Sequence, residues 1–329
     1  MIRVAVDAMG GDRAPEEIVA GAVDAASDGI RPVLYGSPGL DTRGLAFVET
    51  EGVIEMDDHA VESVRAKPES SLVRAVRSVA AKEADAVVSA GSTGAMLAAS
   101  LLHIRRLPGV RRPAIAVPIP ARRGPTVLID AGANADARPE DLLLFAHMGV
   151  VFAEEILEID DPAVRLLSIG EEEEKGNQLT LEAGALLRAS TLRFAGNTES
   201  RSLLEGDSDV VVTDGFTGNI ALKALEGTIR SLLEALREEL ESSPRGRLGG
   251  LLMRPSARRV RKRLDPETYG GAYLLGLRGL VVIAHGSSSR VAIANAIRLA
   301  ARGVEHNVVE RLESGVLASA RSTTPTAER

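Results

Sequence analysis

The 329-residue chain contains no cysteine and no tryptophan, and only three tyrosines and five phenylalanines. The first absence excludes disulfides, thiolate zinc sites and a cysteine acyl-enzyme. The scarcity of aromatics leaves Val, Leu, Ile and Ala to fill the interior, which suits parallel strands covered by helices. No apolar run reaches the roughly 18 residues that a bilayer span requires. The amino terminus, MIRVAVDAMGG, has no basic segment followed by an apolar core, so a secretory signal is not expected and the cytoplasm is the expected compartment. A formal net charge of -7 argues against general nucleic-acid binding. Common nucleotide signatures are also missing. There is no G-x-x-x-x-G-K-[ST] and no G-x-G-x-x-G after a strand, so ATP and NAD are disfavoured and no cofactor is expected. A G-x-S-x-G elbow is absent and the five histidines lack zinc-ligand spacing, which disfavours a serine hydrolase or a zinc enzyme; no residue is assigned to a metal.

What is present is alternation. Short β-branched runs near 2–7, 32–36, 85–89, 114–118, 126–130, 164–169, 191–195, 209–213 and 280–284 are separated by helical patterns such as 15–27, 68–81 and 287–301. That order predicts βαβ units, a largely parallel sheet and one α/β domain over 1–318. The Ser-, Thr- and Pro-rich tail from Ser319 to Arg329 is expected to be disordered. One segment departs from the pattern: Arg245 to Arg263 holds eight basic residues and no acidic one. Pro244, Pro255, Gly246, Gly249 and Gly250 interrupt a long helix, so two short helices with an apolar tip at Leu248–Met253 are expected, as a protruding hairpin over about 243–268.

The residues after the strands carry the chemistry, because ligands in open α/β sheets bind outside strand carboxyl ends. These junctions read Asp7–Asp12, Ala90–Gly94, Asp130–Asn134, Gly170–Asn177, Asp214–Asn219 and His285–Ser289. Gly10, Gly11, Gly91, Gly94, Gly132, Gly218 and Gly286 permit close backbone approach, and a turn entering a helix aims free N–H groups at an anion. Six such turns on one sheet edge predict a site for a simple anion such as phosphate. Lys175 follows Glu171–Glu174, a pattern that suits a solvated helix face, yet it also places an ammonium where an oxyanion would need one. His285 after the run Leu280–Ala284 suits either a structural hydrogen bond or a catalyst. Asp7, Asp130 and Asp214 suit helix caps or turns, or groups that orient a lysine, a histidine or a metal.

Taken together, MIRVAVDAMGGDRAPEEIVAGA, KPESSLVRAV, AGSTGAMLAAS, DAGANADARPEDLL, IGEEEEKGNQLT, VVTDGFTGNIALK and HGSSS resemble the phosphate acyltransferase family known as PlsX, from Met1 to about Arg311. The resemblance implies a Rossmann-like three-layer α/β/α sandwich, usually dimeric. It also implies conversion of acyl carrier protein loaded with a long-chain acyl group, plus inorganic phosphate, to acyl-phosphate and free carrier. That product would pass to a membrane glycerol-3-phosphate acyltransferase. Gly10, Gly11, Asp12, Lys67, Thr93, Asn134, Lys175, Asn177, Asp214, Asn219 and His285 fall in the family's motifs. With no cysteine and no serine that has an identifiable base, the simplest mechanism is direct attack of phosphate on the thioester, with Lys175 and Asn219 expected to stabilise the oxyanion, His285 to protonate the thiolate and Asp214 in the catalytic set. The acidic carrier is expected to dock on Arg258, Arg259, Arg261, Lys262 and Arg263. Leu248, Leu251, Leu252 and Met253 are expected to touch a membrane surface, making the protein peripheral. Two rivals stay open: a non-catalytic carrier-binding module, and a short-chain phosphotransacetylase using acyl-CoA.

Overall fold

The computed structural model describes residues 1–264 and 266–322, without the side chains at 261, 262, 264, 266 and 316–322. In chain order the elements are β1 (Arg3–Asp7), α1 (Glu16–Ala26), β2 (Arg31–Gly36), β3 (Ala46–Glu49), α2 (Ala60–Ala66), α3 (Ser71–Ala80), β4 (Ala86–Ser89), α4 (Thr93–His103), β5 (Ala114–Ile119), β6 (Thr126–Ile129), α5 (Pro139–Leu157), β7 (Val164–Leu167), α6 (Gln178–Ala189), β8 (Phe194–Thr198), β9 (Val210–Val212), α7 (Gly215–Glu241), α8 (Pro244–Leu264), β10 (Ala272–Leu275), β11 (Leu280–Ile283), α9 (Arg290–Glu305) and α10 (Val308–Ser322). They form one sheet in the order β3-β2-β1-β4-β11-β10-β5-β6-β9-β7-β8, covered on both faces.

The strands read as apolar runs because both faces are buried. Side chains alternate between two cores. Val4 and Val6 of β1, Ala86 and Val88 of β4, and Val127 and Ile129 of β6 pack with α1, α5 and α9. Ala5, Val87 and Leu128 point the other way, into the core shared with α3, α4 and the first turns of α7. The expected three-layer α/β sandwich is therefore present.

Strand direction departs from the expectation. Pairings β1·β2, β1·β4, β2·β3 and β4·β11 are parallel, as are β6·β9, β7·β9 and β7·β8. Between these blocks, β11·β10, β10·β5 and β5·β6 are antiparallel. Three reversals make β6, β9, β7 and β8 run opposite to β1–β4 and β11. The glycine turns consequently occupy two opposite ends of the sheet, not one edge. β3 and β10 were not among the expected strands, and β8 starts three residues later than the expected 191.

The basic segment is also organised differently. α8 is one helix through Pro255, so Leu248–Met253 lie along it and the turn of the hairpin is at Ser242–Ser243. Gly246 and Gly250 face Leu240 of α7, where they permit close helix approach instead of breaking the helix. The helix α10 extends to Ser322, overtaking the start of the expected disordered tail; residues 323–329 lie outside the described residues.

Candidate active site

At the β1–β4–β11 end, a buried carboxylate shapes the first two turns. Asp7, 1% exposed, accepts the Ser89 hydroxyl at 2.7 Å, and Ser89 Oγ accepts the Gly91 N–H at 3.0 Å. Met9 N–H donates to the second oxygen at 3.3 Å. Burial raises the Asp7 pKa, opposed by these hydrogen bonds. Gly10 is required here: a Cβ would stand 2.9 Å from Gly91 N and 3.0 Å from Ser89 Oγ, and closer still to Asp7. Asp12 N–H donates to Gly286 O at 2.8 Å, and Gly11, at φ 110°, fits between Ala90 and Gly286. The turns at Gly10–Asp12, Ala90–Gly94 and His285–Ser289 are thus in contact. Thr93 and Gly94 open α4 and have no carbonyl within the helix to donate to, so their amides face outward. Ser92 caps the same helix, accepting from Ala95 N–H at 3.4 Å.

A loop closes over this end. Lys67 Nζ donates to Asp58 at 2.6 Å and to Val53 O at 2.9 Å, pinning 53–58. Met56, on that loop, is the nearest side chain to Gly286. Two of the three ammonium donors of Lys67 are taken by these partners, which fixes the loop.

At the β6–β9 end, Asp130 is fully buried and organises a second turn. Its Oδ1 accepts the amides of Ile115, Gly132 and Ala133 at 3.0, 3.1 and 2.9 Å. Its Oδ2 accepts the Asn134 amide at 2.7 Å and Asn134 Nδ2 at 2.8 Å. Burial raises the Asp130 pKa, and the donors oppose it. Asn134 also donates to Pro113 O at 2.7 Å and is 4% exposed. Its side chain braces the turn. Asn134 O accepts Gly215 N–H at 2.8 Å, and Gly218 sits on Asp130 O so closely that no Cβ fits. Asp214 caps α7 by accepting Thr217 N–H at 2.9 Å, the helix-cap alternative of the sequence. This packing sets exposed Asn219 against Gly132.

The helix α7 joins the two ends. Asn219 and Lys223 are four residues apart and share a face. Lys223 Nζ stands 3.4 Å from His285 Nε2 and donates to Glu226 at 3.0 Å. His285 Nδ1 accepts the Ser287 N–H at 3.2 Å, with Ser287 Oγ at 2.8 Å, which orients the ring. With Nδ1 accepting, the neutral ring would carry its proton on Nε2, toward Lys223. Sequence reasoning missed Lys223. The usable signal was its i,i+4 spacing from Asn219 on an amphipathic helix.

Lys175 and Asn177 lie on the β7–α6 turn, one strand beyond β9. Asn177 caps α6, accepting Thr180 N–H at 3.0 Å, and Gly176, at φ 124°, packs on Ser168 and Thr180. Lys175 is exposed, its carbonyl accepts Ser168 Oγ at 2.9 Å, and its Nζ makes no ion pair among the described residues. No described contact joins it to His285 or Asn219. On the hairpin, Arg258, Arg259 and Arg263 are exposed, while the Arg261 and Lys262 side chains lie outside the described residues. Leu248, Leu251, Leu252 and Met253 are exposed by 50–75%. No helix among the described residues is long and apolar enough to cross a membrane.

The α/β fold has the architecture seen in solved phosphotransacylases. The fold is similar to that of phosphotransacetylase EutD from Staphylococcus aureus, with a TM-score of 0.59 at 17% identity over 92% of this chain and 94% of that one. It is similar also to a branched-chain phosphotransacylase from Enterococcus faecalis V583, with a TM-score of 0.58 at 18% identity over 92% and 100%. In sequence, the family described as fatty acid synthesis protein matches residues 2–311. The phosphate acyltransferase of Heliobacterium modesticaldum is 46% identical over 96% of this chain and 98% of its own length, and that of Desulfitobacterium hafniense strain Y51 is 45% identical over 95% and 97%. The chain belongs to the phosphate acyltransferase family PlsX, and it is an acyltransferase.

Proposed function

We propose that this enzyme transfers a fatty acyl group from acyl carrier protein to inorganic phosphate, supplying acyl-phosphate for phospholipid synthesis. The observation that carries this reading is the meeting of two glycine-turn systems along one face of α7, with Asn219 at one end and His285 at the other. A phosphate oxygen forms a bond to the thioester carbon, the tetrahedral oxyanion collapses, and the carbon–sulfur bond breaks to release the carrier's thiolate, which takes a proton. Phosphate needs no activation by a base, so positioning and oxyanion stabilisation are the main requirements. Asn219 suits the oxyanion, and Lys175 supplies a cation at the Asn219 end of the sheet. The thiolate takes its proton from solvent, and the Nε2–H of His285 serves as a hydrogen-bond donor to the anion. Asp214 acts by capping α7 and thereby holding Asn219.

Delivery belongs to the same reading. The acidic carrier docks on the α8 charges Arg258, Arg259 and Arg263, joined by Arg261 and Lys262, where steering weakens with salt. Leu248, Leu251, Leu252 and Met253 contact an anionic membrane surface, where the labile and apolar product meets a glycerol-3-phosphate acyltransferase. The homodimer implied by the family fits the reading. Supplying phosphate with either palmitoyl-carrier protein or acetyl-CoA decides the substrate: rapid consumption of the first supports the reading, and exclusive use of the second replaces it with a short-chain phosphotransacetylase.

A further inference from the structure

We infer that Lys223 is a catalytic residue that binds the nucleophilic phosphate, bridging it to His285 Nε2. The inference rests on the reading above that the acceptor is inorganic phosphate, and it assigns that phosphate a location.

Two nitrogen donors from different elements confront each other here. Lys223 comes from the third turn of α7, His285 from the turn after β11, and their nitrogens are 3.4 Å apart. The Ser287 amide donates to Nδ1 at 3.2 Å, and in the tautomer with its proton on Nε2 the neutral ring presents an N–H toward the ammonium. In that tautomer a donor faces a donor, and the two lack a shared acceptor. Glu226 takes one ammonium proton at 3.0 Å and sets the direction of the lysine, leaving two others for a ligand. One anionic oxygen, or two oxygens of one tetrahedral anion, would satisfy both residues at once. Both side chains are exposed, so the anion can enter from solvent.

The surroundings favour phosphate over the thioester oxyanion as the occupant. The His285–Gly286 turn is in backbone contact with Asp12 through the 2.8 Å hydrogen bond to Gly286 O, and Gly11 packs against Ala90 at the entrance to α4. Backbone amides and a helix amino terminus therefore lie on the same end of the sheet as the lysine–histidine pair, which suits a multiply charged anion. Asn219, one helical turn away, lies at the opposite, Gly132 side, where a reacting carbonyl would meet it. Nucleophile and electrophile are then held on successive turns of a single helix.

The test separates phosphate from acyl donor. Lys223→Ala should raise the KM for phosphate by at least about tenfold, the loss of one charge-assisted hydrogen bond, while the KM for the acyl donor stays near that of wild type. Lys223→Arg should recover part of the loss. A second readout does not need turnover: inorganic phosphate should slow diethylpyrocarbonate modification of His285, followed by peptide mass spectrometry, in wild type but not in Lys223→Ala. Circular dichroism and melting verify that the exposed substitution leaves the fold intact. An unchanged phosphate KM with phosphate protection retained overturns the assignment, as does a rise confined to the acyl-donor KM. If wild type ignores acyl carrier protein yet phosphate still protects His285 only when Lys223 is present, the donor assignment falls and the phosphate site stands.

Discussion

Replacing Asp130 by Asn tests whether one buried carboxylate holds the β6 turn and, through it, Asn219. The Asn carbonyl oxygen is best placed at Oδ1, where it keeps three amides, because the reverse orientation would strip all three. The new NH2 group then faces Asn134 N–H and Asn134 Nδ2, two donors that lose their acceptor. Each stranded buried donor costs about 1–3 kcal/mol, so the gross loss is about 2–6 kcal/mol. Relief from burying a carboxylate returns part of it, leaving a net loss of about 2–4 kcal/mol. That is a large fraction of the roughly 5–15 kcal/mol that stabilises a folded domain, and for a chain of this length it corresponds to a fall in Tm of roughly 3–6 °C. Turnover should fall by at least about tenfold as well, because Gly215 and Asn219 lose their backing. Urea denaturation at pH 7.5 and steady-state kinetics provide the measurements. A variant within about 1 kcal/mol of wild type with unchanged turnover would show that the carboxylate does not organise the turn.

Gly218→Ala should cost about 1–3 kcal/mol, because its methyl would collide with Asp130 O and stand 2.9 Å from Thr213 Cγ2; equal melting and equal turnover would refute this close approach. His147 is kept neutral by burial, which lowers its pKa below the ordinary 6.5, so stability should decline as pH falls below about 6.5, where the unfolded chain gains the proton first. In His147→Gln the Tm should depend less steeply on pH between 7 and 5, and an unaltered slope would count against the assignment. Lys175→Ala should lower turnover by at least about tenfold without loss of fold; wild-type turnover would return Lys175 to the solvated surface. Wild-type protein should sediment with anionic vesicles while the Leu251→Glu, Leu252→Glu double variant remains in the supernatant and active; equal sedimentation removes α8 as the anchor.

The layers and the strand–helix order were readable because both sheet faces are buried, so Val4, Val6, Val87 and Val88 form apolar runs wherever a strand passes. Direction was not readable. Each junction announces a glycine turn after a strand, but only the pairing of β5 with β6 and of β10 with its two neighbours reverses the second block, and such pairing is tertiary. β10 is four residues long and follows two glycines, too short to signal itself. Pro255 and three glycines argued for a broken α8, yet Gly246 and Gly250 fit against Leu240, so packing on α7 overrides local propensity. The placement of the glycines and of His285 on turns after strands was legible because turn geometry leaves a local mark. The inward commitment of Asn134 and Lys67 was not, since their partners Pro113 and Val53 are distant in sequence.

The 27-residue α7 behaves as a lever with a very short inner arm. Its pivot is the wedge of Gly215 and Gly218 against Asp130; Asn219 is ~6 Å along the axis from Gly215, and Glu241 is ~39 Å along it. A swing of about 3 Å where the helix meets α8 therefore moves Asn219 by only about 0.5 Å. Whatever large or mobile body the far end engages, its motion reaches the reacting groups attenuated roughly sixfold. One rigid rod thus ties the outer hairpin to the site while isolating the site's geometry from it.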